Sequence, residues 1–494
     1  MKHLFPVLAF LLLSSCQAQS DPRTVRIAEY LTQAHERGQF NGAALVFDQS
    51  QVLYEGAFGI GNIDPIDSLH LGSQFRLGSV GKQFTAMAIM ILQEEGKLRY
   101  DQDVRDFLPE LPYAGITIRH LLHHTSGLPQ YEPMMDQHWK PELKYDDPAR
   151  YISGNEDILD MYAAQKLPVR FQPGERWEYS NGGYNLLGTI VKRASGMSYA
   201  DFLKQRIFDP ADMTRSTVYN YVIGNDPKMP DRVFGHWTEW NGHDRKSTDG
   251  HYLNPAYGED GVYSTLGDLL KWDRLLYTEK LVKKATLAEA FTPAVLNNGD
   301  TTEYGFGWFI QRAPSGRKLV THSGGWAGFI TYILRGVEED KCLIVLTNNS
   351  SKYFGREGIR GGLTRILYNE PYSLPQLSIH DVIGRDVFEQ GAAHAIALYR
   401  RYKAERPTDF VFAENELNIL GYELLSAGRV DDAVAIQRLN LELYPTANAH
   451  DSYGDALIAK GDTVNALDHF KKAFALDGTM TATKEKIEGM EKGK

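Results

Sequence analysis

The stretch FRLGSVGK at residues 75–82 leads into an apolar run at 84–92 and decides how the chain is interpreted. The run predicts a buried helix, and Ser79 and Lys82, three residues apart, would share one face of it. A serine hydroxyl is a poor nucleophile until a base takes its proton, and a lysine can be that base only if burial keeps it partly neutral. The helix N-terminus also favours negative charge on the serine oxygen. The pair predicts a nucleophile and its base, with a helix cap beside a solvated lysine as the alternative.

Two segments further along the chain strengthen the catalytic interpretation. FQPGERWEYSN at residues 171–181 places Tyr179 and Asn181 two residues apart after a Pro-Gly turn. In an extended segment, side chains with this spacing point to the same side. VTHSGG at residues 320–325 predicts a strand that ends in two glycines, which allow backbone N–H groups to approach a bound carbonyl group.

These segments, together with LLHHTSGLP at residues 121–129 and GVYST at residues 261–265, form five ordered elements. Residues 24–368 resemble the serine β-lactamase and penicillin-binding-protein superfamily, in particular its class C-like branch. That branch includes β-lactamase-related serine hydrolases, D-Ala-D-Ala carboxypeptidases, D-amino-acid peptidases and amidases, and esterases. The resemblance implies an α+β fold, in which a β-lactamase/transpeptidase-like antiparallel sheet is flanked by helices and joined to a helical lobe.

The resemblance also implies a role for each matching residue. Ser79 would be the acyl-accepting nucleophile, and Lys82 would be its base or proton partner. Tyr179 would pass the proton to the leaving group, while Asn181 would hold a substrate carbonyl or the Lys82 ammonium. The backbone N–H groups of Ser79 and Gly325 would form the oxyanion hole. The reaction would be two acyl transfers, first to Ser79 and then to water, and it would need no metal and no cofactor.

The third segment departs from many β-lactamases, which have a lysine that pairs with the substrate carboxylate where this chain has His322. Histidine is only partly charged near neutral pH. The class C-like branch has histidine here in peptidases and esterases, so the resemblance retains His322 as a catalytic residue and argues against efficient β-lactam hydrolysis. Ser323 and Gly324 are predicted to bind substrate.

The amino terminus predicts export. Lys2 and the apolar run at residues 4–13 form a signal peptide that is too short to span a bilayer of about 30 Å. LSSC at residues 13–16 resembles a bacterial lipobox, so residues 1–20 are interpreted as a leader with lipidation at Cys16. The alternative is ordinary cleavage after Ala18. The protein is expected to be periplasmic or in the cell envelope, with membrane contact only through the Cys16 anchor.

Strand and helix patterns predict a hydrolase domain at residues 21–370. A helix at 24–36 precedes a β-hairpin at 43–58, and three further strands near residues 318–346 precede a helix at 357–368. The middle of the chain is rich in helices and loops and predicts a second lobe. Its loops at 130–153 and 235–260 carry aromatic residues that could shape a substrate pocket or pack as surface cover.

After a linker at residues 371–385, residues 386–494 predict an all-α tail of helical repeats. Three small residues recur at an interval of 33, because Gly421, Gly428 and Ala433 are followed by Gly454, Gly461 and Ala466. The pattern resembles tetratricopeptide repeats, although the period is one residue short of the usual 34. Such a tail could bind a protein partner.

Composition excludes several classes of function. The 494 residues carry 53 basic and 63 acidic side chains, a net charge of −10, so no basic surface for nucleic acid is expected. The two cysteines, Cys16 and Cys342, are too few for a disulfide scaffold, and Cys342 lies in a buried-strand pattern. His120, His123 and His124 have the spacing of half a metal site, but no second cluster accompanies them, so no metal is predicted.

The sequence thus predicts an exported serine hydrolase that cleaves a peptide, amide or ester through an acyl-Ser79 intermediate. A D-amino-acid peptidase or carboxypeptidase-like enzyme is the leading hypothesis. A small-ester carboxylesterase, a β-lactamase and a non-catalytic binding protein built on the repeats are the alternatives.

Overall fold

The computed structural model describes residues 21–140, 153–219, 229–248 and 250–492. The predicted leader with Cys16 lies outside the described residues. The strands in chain order are β1 (Gly42–Asp48), β2 (Gln51–Phe58), β3 (Ile60–Ile63), β4 (Ile66–Ser68), β5 (Phe75–Arg76), β6 (Thr217–Val218), β7 (His236–Thr238), β8 (Arg245–Ser247), β9 (Val262–Ser264), β10 (Phe309–Arg312), β11 (Lys318–Trp326), β12 (Phe329–Gly336), β13 (Lys341–Thr347), β14 (Leu377–Ser378) and β15 (Phe410–Val411).

The helices in chain order are α1 (Pro22–Glu36), α2 (Lys82–Glu94), α3 (Ile118–Leu122), α4 (Tyr131–His138), α5 (Asn155–Gln165), α6 (Asn181–Ser195), α7 (Tyr199–Leu203), α8 (Leu266–Leu275), α9 (Lys284–Ala290), α10 (Ile359–Leu367), α11 (Ile379–Gln390), α12 (Ala392–Glu405), α13 (Glu414–Ser426), α14 (Val430–Leu443), α15 (Ala447–Lys460), α16 (Thr463–Leu476) and α17 (Thr481–Lys492). The described residues also include two 3₁₀ turns, Gly78–Gly81 and Val104–Asp106, and one π turn, Lys204–Phe208. No helix among the described residues is long and apolar enough to cross a bilayer.

A six-stranded antiparallel sheet joins the two ends of the hydrolase domain. Its strand order is β10-β11-β12-β13-β1-β2, and β1 pairs with β13 from Gly42 opposite Thr347 to Asp48 opposite Lys341. Successive residues of β1 face opposite sides. Ala44 and Val46 pack in one core with α1 and α10, while Ala43 and Leu45 pack in the other with α2. Helices therefore cover both faces of the sheet, and the predicted α+β fold is confirmed.

The strand that carries the HSGG segment is longer than predicted. The sequence predicted that the strand would end in Gly324 and Gly325. In the structure, β11 continues through both glycines to Trp326. Gly324 pairs with Thr331 and Gly325 with Ile330 of β12. The glycines do not end the strand, because β12 offers a pairing partner along the whole segment.

The lobe between the two halves of the sheet is built around α2. Every residue of α2 from Lys82 to Leu92 is buried, since α6 lies against the helix and Phe84 packs on Phe208 and Trp272. Burial on all sides is what an almost uninterrupted apolar run requires. Lys82, at the start of this helix, is therefore held in place and shielded from water.

The helical tail begins earlier than predicted. α11 starts at Ile379, inside the segment expected to be a linker, and buries Ile379, Ile383 and Val387. The i, i+4, i+8 spacing of these residues was a helical signal that the two nearby prolines obscured. The tail also contacts the 235–260 loop, where the Trp240 ring lies 6.2 Å from Phe388. Trp240 therefore packs as cover against the tail, and a role of these loops in shaping a substrate pocket stays a prediction.

The 33-residue period corresponds to two stacked helical hairpins. Gly421 of α13 packs against Gln437 of α14, and Gly454 of α15 packs in the same way against Phe470 of α16. A Cβ at either glycine would lie 2.1 or 2.5 Å from that partner, so the small residue is needed where the two helices of a hairpin cross. Membership of the tetratricopeptide family stays a prediction.

Candidate active site

The nucleophile turn connects β5 to α2. Ser79 lies in the 3₁₀ turn Gly78–Gly81 and is half-buried. Gly78 has a φ of +55°, and a Cβ there would lie 2.7 Å from the backbone nitrogen of Gly325. Only glycine adopts this conformation without strain, and its missing side chain lets β11 approach the turn.

Lys82 is fully buried directly behind Ser79. Its Nζ lies 3.0 Å from Ser79 Oγ, 2.8 Å from Asn181 Oδ1 and 3.0 Å from the carbonyl oxygen of Glu259. A neutral amine has two N–H bonds and one lone pair. Since the amide and carbonyl oxygens can only accept hydrogen bonds, both N–H bonds point at Asn181 and Glu259. As a free amine, Lys82 would then turn its lone pair towards Ser79 Oγ, as a general base must, whereas the ammonium form donates a hydrogen bond to Ser79 Oγ.

Tyr179 and Asn181 both face Lys82, as their spacing predicted. The Tyr179 ring centroid lies 5.1 Å from Lys82 Nζ. Asn181 begins α6, and the hydroxyl of the preceding Ser180 caps that helix by accepting from Gly183 N. Asn181 Nδ2 donates to Glu132 Oε1 at 2.6 Å, which leaves its Oδ1 for Lys82.

The 121–129 segment contacts Tyr179 and its two neighbours in sequence through His124. The backbone oxygen of His124 accepts from Glu178 N, and its Nδ1 accepts from Ser180 N at 3.1 Å. The His124 and Tyr179 rings lie 4.2 Å apart. Burial and the Lys82 charge hold the pKa of His124 well below its usual value, so His124 is a neutral structural residue. In the described part of the chain, no group of three or more His, Cys, Asp or Glu side chains could hold a metal ion.

His322 lies in the same cluster but does not face the open side of the site. Its side chain is 1% exposed, with Nδ1 2.7 Å from Ser323 O and Nε2 2.9 Å from Tyr304 OH. A carbonyl oxygen can only accept, so Nδ1 carries the proton and Nε2 accepts from Tyr304. Burial, with the Lys82 charge adding to it, lowers the pKa of His322 to about 3. Tyr304 and Ser323 thus occupy both ring nitrogens of His322, and its catalytic role stays a prediction.

The strand carrying the predicted oxyanion donor lies against the nucleophile turn. A Cβ on Gly324 would lie 2.0 Å from Leu77 O and 2.9 Å from Ser79 N. Thr331 Oγ1 on the neighbouring strand donates to the same Leu77 oxygen at 2.6 Å. Gly324 thus acts as a spacer that lets β11 reach the turn and brings the backbone of Gly325 close to Ser79. The neighbouring Ser323 is exposed.

We expect Gly324→Ala to lower kcat/KM by about 10²-fold, the cost of displacing one oxyanion donor. The added methyl group must push β11 away from Leu77 and Ser79, since backbone atoms occupy its space. Initial rates and the thermal unfolding midpoint measure the effect. Gly267→Ala is the control, because that exposed glycine of α8 has no atom within 4 Å of the new methyl group. Unchanged rates in Gly324→Ala would contradict the role of this close contact.

Glu259 is the residue of the site that sequence reasoning missed. Its carboxylate Oε2 lies 4.0 Å from Lys82 Nζ, and its Oε1 accepts a hydrogen bond from Tyr131 OH. Burial is the largest of the effects that raise its pKa to about 7. An acidic residue two positions before the GVYST segment was a signal in the sequence, but its proximity to Lys82 was not, since 177 residues separate the two.

Several known proteins are similar to this chain. A model of the family described as Beta-lactamase matches residues 27–361. This chain belongs to the beta-lactamase family. It is also similar to Penicillin-binding protein 4* of Bacillus subtilis (strain 168), with 37% identity over 374 residues that cover 74% of this chain and 79% of the relative.

This beta-lactamase-family chain is also similar to a peptidase and to a second penicillin-binding protein. A D-aminopeptidase of Gluconobacter oxydans is 26% identical over 63% of this chain and 56% of its own length. The crystal structure of a penicillin-binding protein from Bacillus halodurans superposes with a TM-score of 0.56 and 25% identity, covering 69% of this chain and 97% of that one. The protein is therefore a serine hydrolase of this family, and the alternative of a non-catalytic binding protein is not supported.

Proposed function

We propose that the protein hydrolyses the amide bond of a D-amino-acid peptide or amide through an acyl-Ser79 intermediate. The main observation that supports an acyl-Ser79 mechanism is the placement of Lys82 Nζ. It lies 3.0 Å from Ser79 Oγ and donates hydrogen bonds to Asn181 Oδ1 and the Glu259 carbonyl oxygen. The D-aminopeptidase similarity supports the substrate class.

The site explains each proton transfer in this proposal. Lys82 takes the Ser79 proton as Oγ attacks the substrate carbonyl carbon. The resulting oxyanion would lie between the N–H groups of Ser79 and Gly325. Lys82 would then return the proton to the leaving nitrogen through the hydroxyl of Tyr179, whose half-buried ring centroid lies 5.1 Å from Lys82 Nζ. A water molecule repeats the sequence on the acyl-enzyme and frees Ser79.

The electrostatics of the site argue against a substrate that requires a cation at the position of His322. That side chain is neutral and buried, so it offers no fixed positive charge to a free carboxylate. The lack of such a charge favours an aminopeptidase or amidase over a carboxypeptidase or a β-lactamase.

Export and the anchor at Cys16 stay proposals that rest on the leader sequence. A protein partner on the tail is likewise a proposal, supported by exposed apolar side chains of the stacked hairpins such as Ile419 and Ile458.

A substrate panel tests the proposed substrate class. Residues 21–494 would be given the p-nitroanilides of D-alanine and L-alanine, a D-Ala-D-Ala peptide, p-nitrophenyl acetate and a chromogenic cephalosporin. We expect kcat/KM for D-alanine p-nitroanilide to exceed that for the L-enantiomer at least tenfold, and the cephalosporin to be the poorest substrate. Turnover of the ester alone would favour the carboxylesterase alternative and overturn the proposal.

A further inference from the structure

Glu259 contacts Lys82 through both its backbone and its side chain. The backbone oxygen accepts from Lys82 Nζ at 3.0 Å, and Oε2 lies 4.0 Å from the same nitrogen. The side chain is almost completely buried, with the residue 4% exposed. A carboxyl group in such a position lacks the water that would stabilise its charge. Its placement beside a buried lysine therefore calls for a functional explanation.

Helix α4 holds the carboxyl group from the other side. Tyr131, the first residue of α4, is fully buried and donates its hydroxyl hydrogen to Glu259 Oε1. The next residue, Glu132, accepts from Asn181, which itself accepts from Lys82. Glu259, Tyr131, Glu132 and Asn181 thus form a polar ring around Lys82.

The reaction places a positive charge inside this ring. When Ser79 transfers its proton, the O–H bond of Ser79 breaks and a third N–H bond forms on Lys82, which becomes an ammonium. A fully buried ammonium is costly unless an anion lies near it. Glu259 is the carboxylate closest to Lys82 Nζ among the described ion pairs. Its charge acts at the step in which the cation appears.

We propose that Glu259 is a positioning residue, whose carboxylate orients Lys82 towards Ser79 and stabilises the Lys82 ammonium formed during acylation. The inference rests on the acyl-Ser79 function proposed above. Glu259 neither gains nor loses a proton in this step. The proton of Ser79 moves to Lys82 and leaves through Tyr179 with the departing amine.

The surroundings of Glu259 determine at which pH the carboxylate is present. Burial is the main cause that raises its pKa to about 7, Glu132 and Asp260 act in the same direction, and Lys82 and the Tyr131 hydrogen bond oppose them. Asp260 itself is paired with Arg76. Below about pH 7 the group is neutral, and above it the group is an anion. Acylation should therefore accelerate as the pH rises through this range.

Glu259→Gln tests the proposal because glutamine keeps the size and the acceptor for Tyr131 but removes the charge. We expect kcat to fall about 10- to 100-fold with KM within threefold of wild type. The rise of kcat/KM near pH 7 should be absent. Glu259→Asp, which retains the charge, should recover part of the rate. Glu156→Gln, in a surface ion pair with Lys192, is the control and should behave as wild type.

Tyr131→Phe provides a second test that preserves the carboxylate. Loss of the hydroxyl removes a hydrogen bond that favours the charged form of Glu259. The pH midpoint of kcat/KM should therefore rise by at least a few tenths of a pH unit. Circular dichroism and the thermal midpoint verify that each variant is folded. If Glu259→Gln does not fold, the direction of the Tyr131→Phe shift decides the proposal.

The outcomes separate this inference from the proposed function. If wild type neither hydrolyses any substrate nor forms a Ser79 adduct with a labelled penicillin, the acyl-Ser79 function itself fails. If wild type is active and folded Glu259→Gln retains its kcat and its pH profile, only the role of Glu259 is overturned. An unchanged midpoint in Tyr131→Phe would also overturn it.

Discussion

Ser79→Ala is expected to abolish turnover, with kcat reduced by at least about 10⁴-fold, because removing the nucleophile of a serine hydrolase removes the covalent route altogether. The remaining rate would come only from binding and oxyanion stabilisation. Ser79 is a small, half-buried side chain, so the fold should persist. Lys82 would lose one of its three partners and keep the other two, Asn181 Oδ1 and Glu259 O.

Two measurements check this result. Initial rates on the best substrate of the panel give kcat, and intact mass after incubation with a labelled penicillin shows whether an adduct forms. Ser315→Ala, on an exposed turn, is the control and should retain both the rate and the adduct. Wild-type activity or an adduct in Ser79→Ala would contradict the assignment of the nucleophile.

The largest effect on stability is expected from Asp273→Asn. Arg335 of β12 and Asp273 of α8 both have fully buried side chains and form an ion pair, and Arg335 Nη2 also donates to the Asp273 carbonyl at 3.0 Å. Loss of one partner leaves a buried charge without compensation, which typically costs about 3–5 kcal/mol. We expect the free energy of unfolding of the hydrolase domain to fall by about that amount.

Urea denaturation followed by tryptophan fluorescence measures this change. Trp308 reports on it directly, because its ring lies 5.9 Å from the Arg335 guanidinium, and Trp272 is the residue before Asp273. Glu357→Gln removes an exposed ion pair with Arg365 and should leave the urea midpoint unchanged. An Asp273→Asn midpoint equal to that of Glu357→Gln would show that the buried pair contributes little.

Short-range patterns predicted the local parts of the catalytic site. Ser79 and Lys82 lie on one helical turn, and Tyr179 and Asn181 on one extended step, so their separations in sequence imply their relative directions in space. Five of the six strands of the sheet, β1, β2 and β11 to β13, were predicted because their apolar runs are long. The short strand β10 carries only partly buried and exposed residues and had no such signal.

Patterns were less informative where two distant segments meet. The sequence predicted that HSGG ends a strand, but β12 pairs along it, so the strand continues. The start of the tail was placed too late, since prolines obscured the apolar spacing of α11. The position of His322 in the motif predicted its role, whereas its burial and its hydrogen bond with Tyr304 follow only from packing.

By itself, the sequence predicted Ser79 and Lys82 as nucleophile and base and the 33-residue period of the tail from short-range spacing, and the antiparallel α+β class from its resemblance to a known family. Only the tertiary structure decided the burial of His322 and its hydrogen bond with Tyr304, the spacer role of Gly324 and the proximity of Glu259 to Lys82. These depend on burial and on contacts across many residues. Both the free energy of a charge and the direction of a proton transfer are set by the groups that the fold brings together.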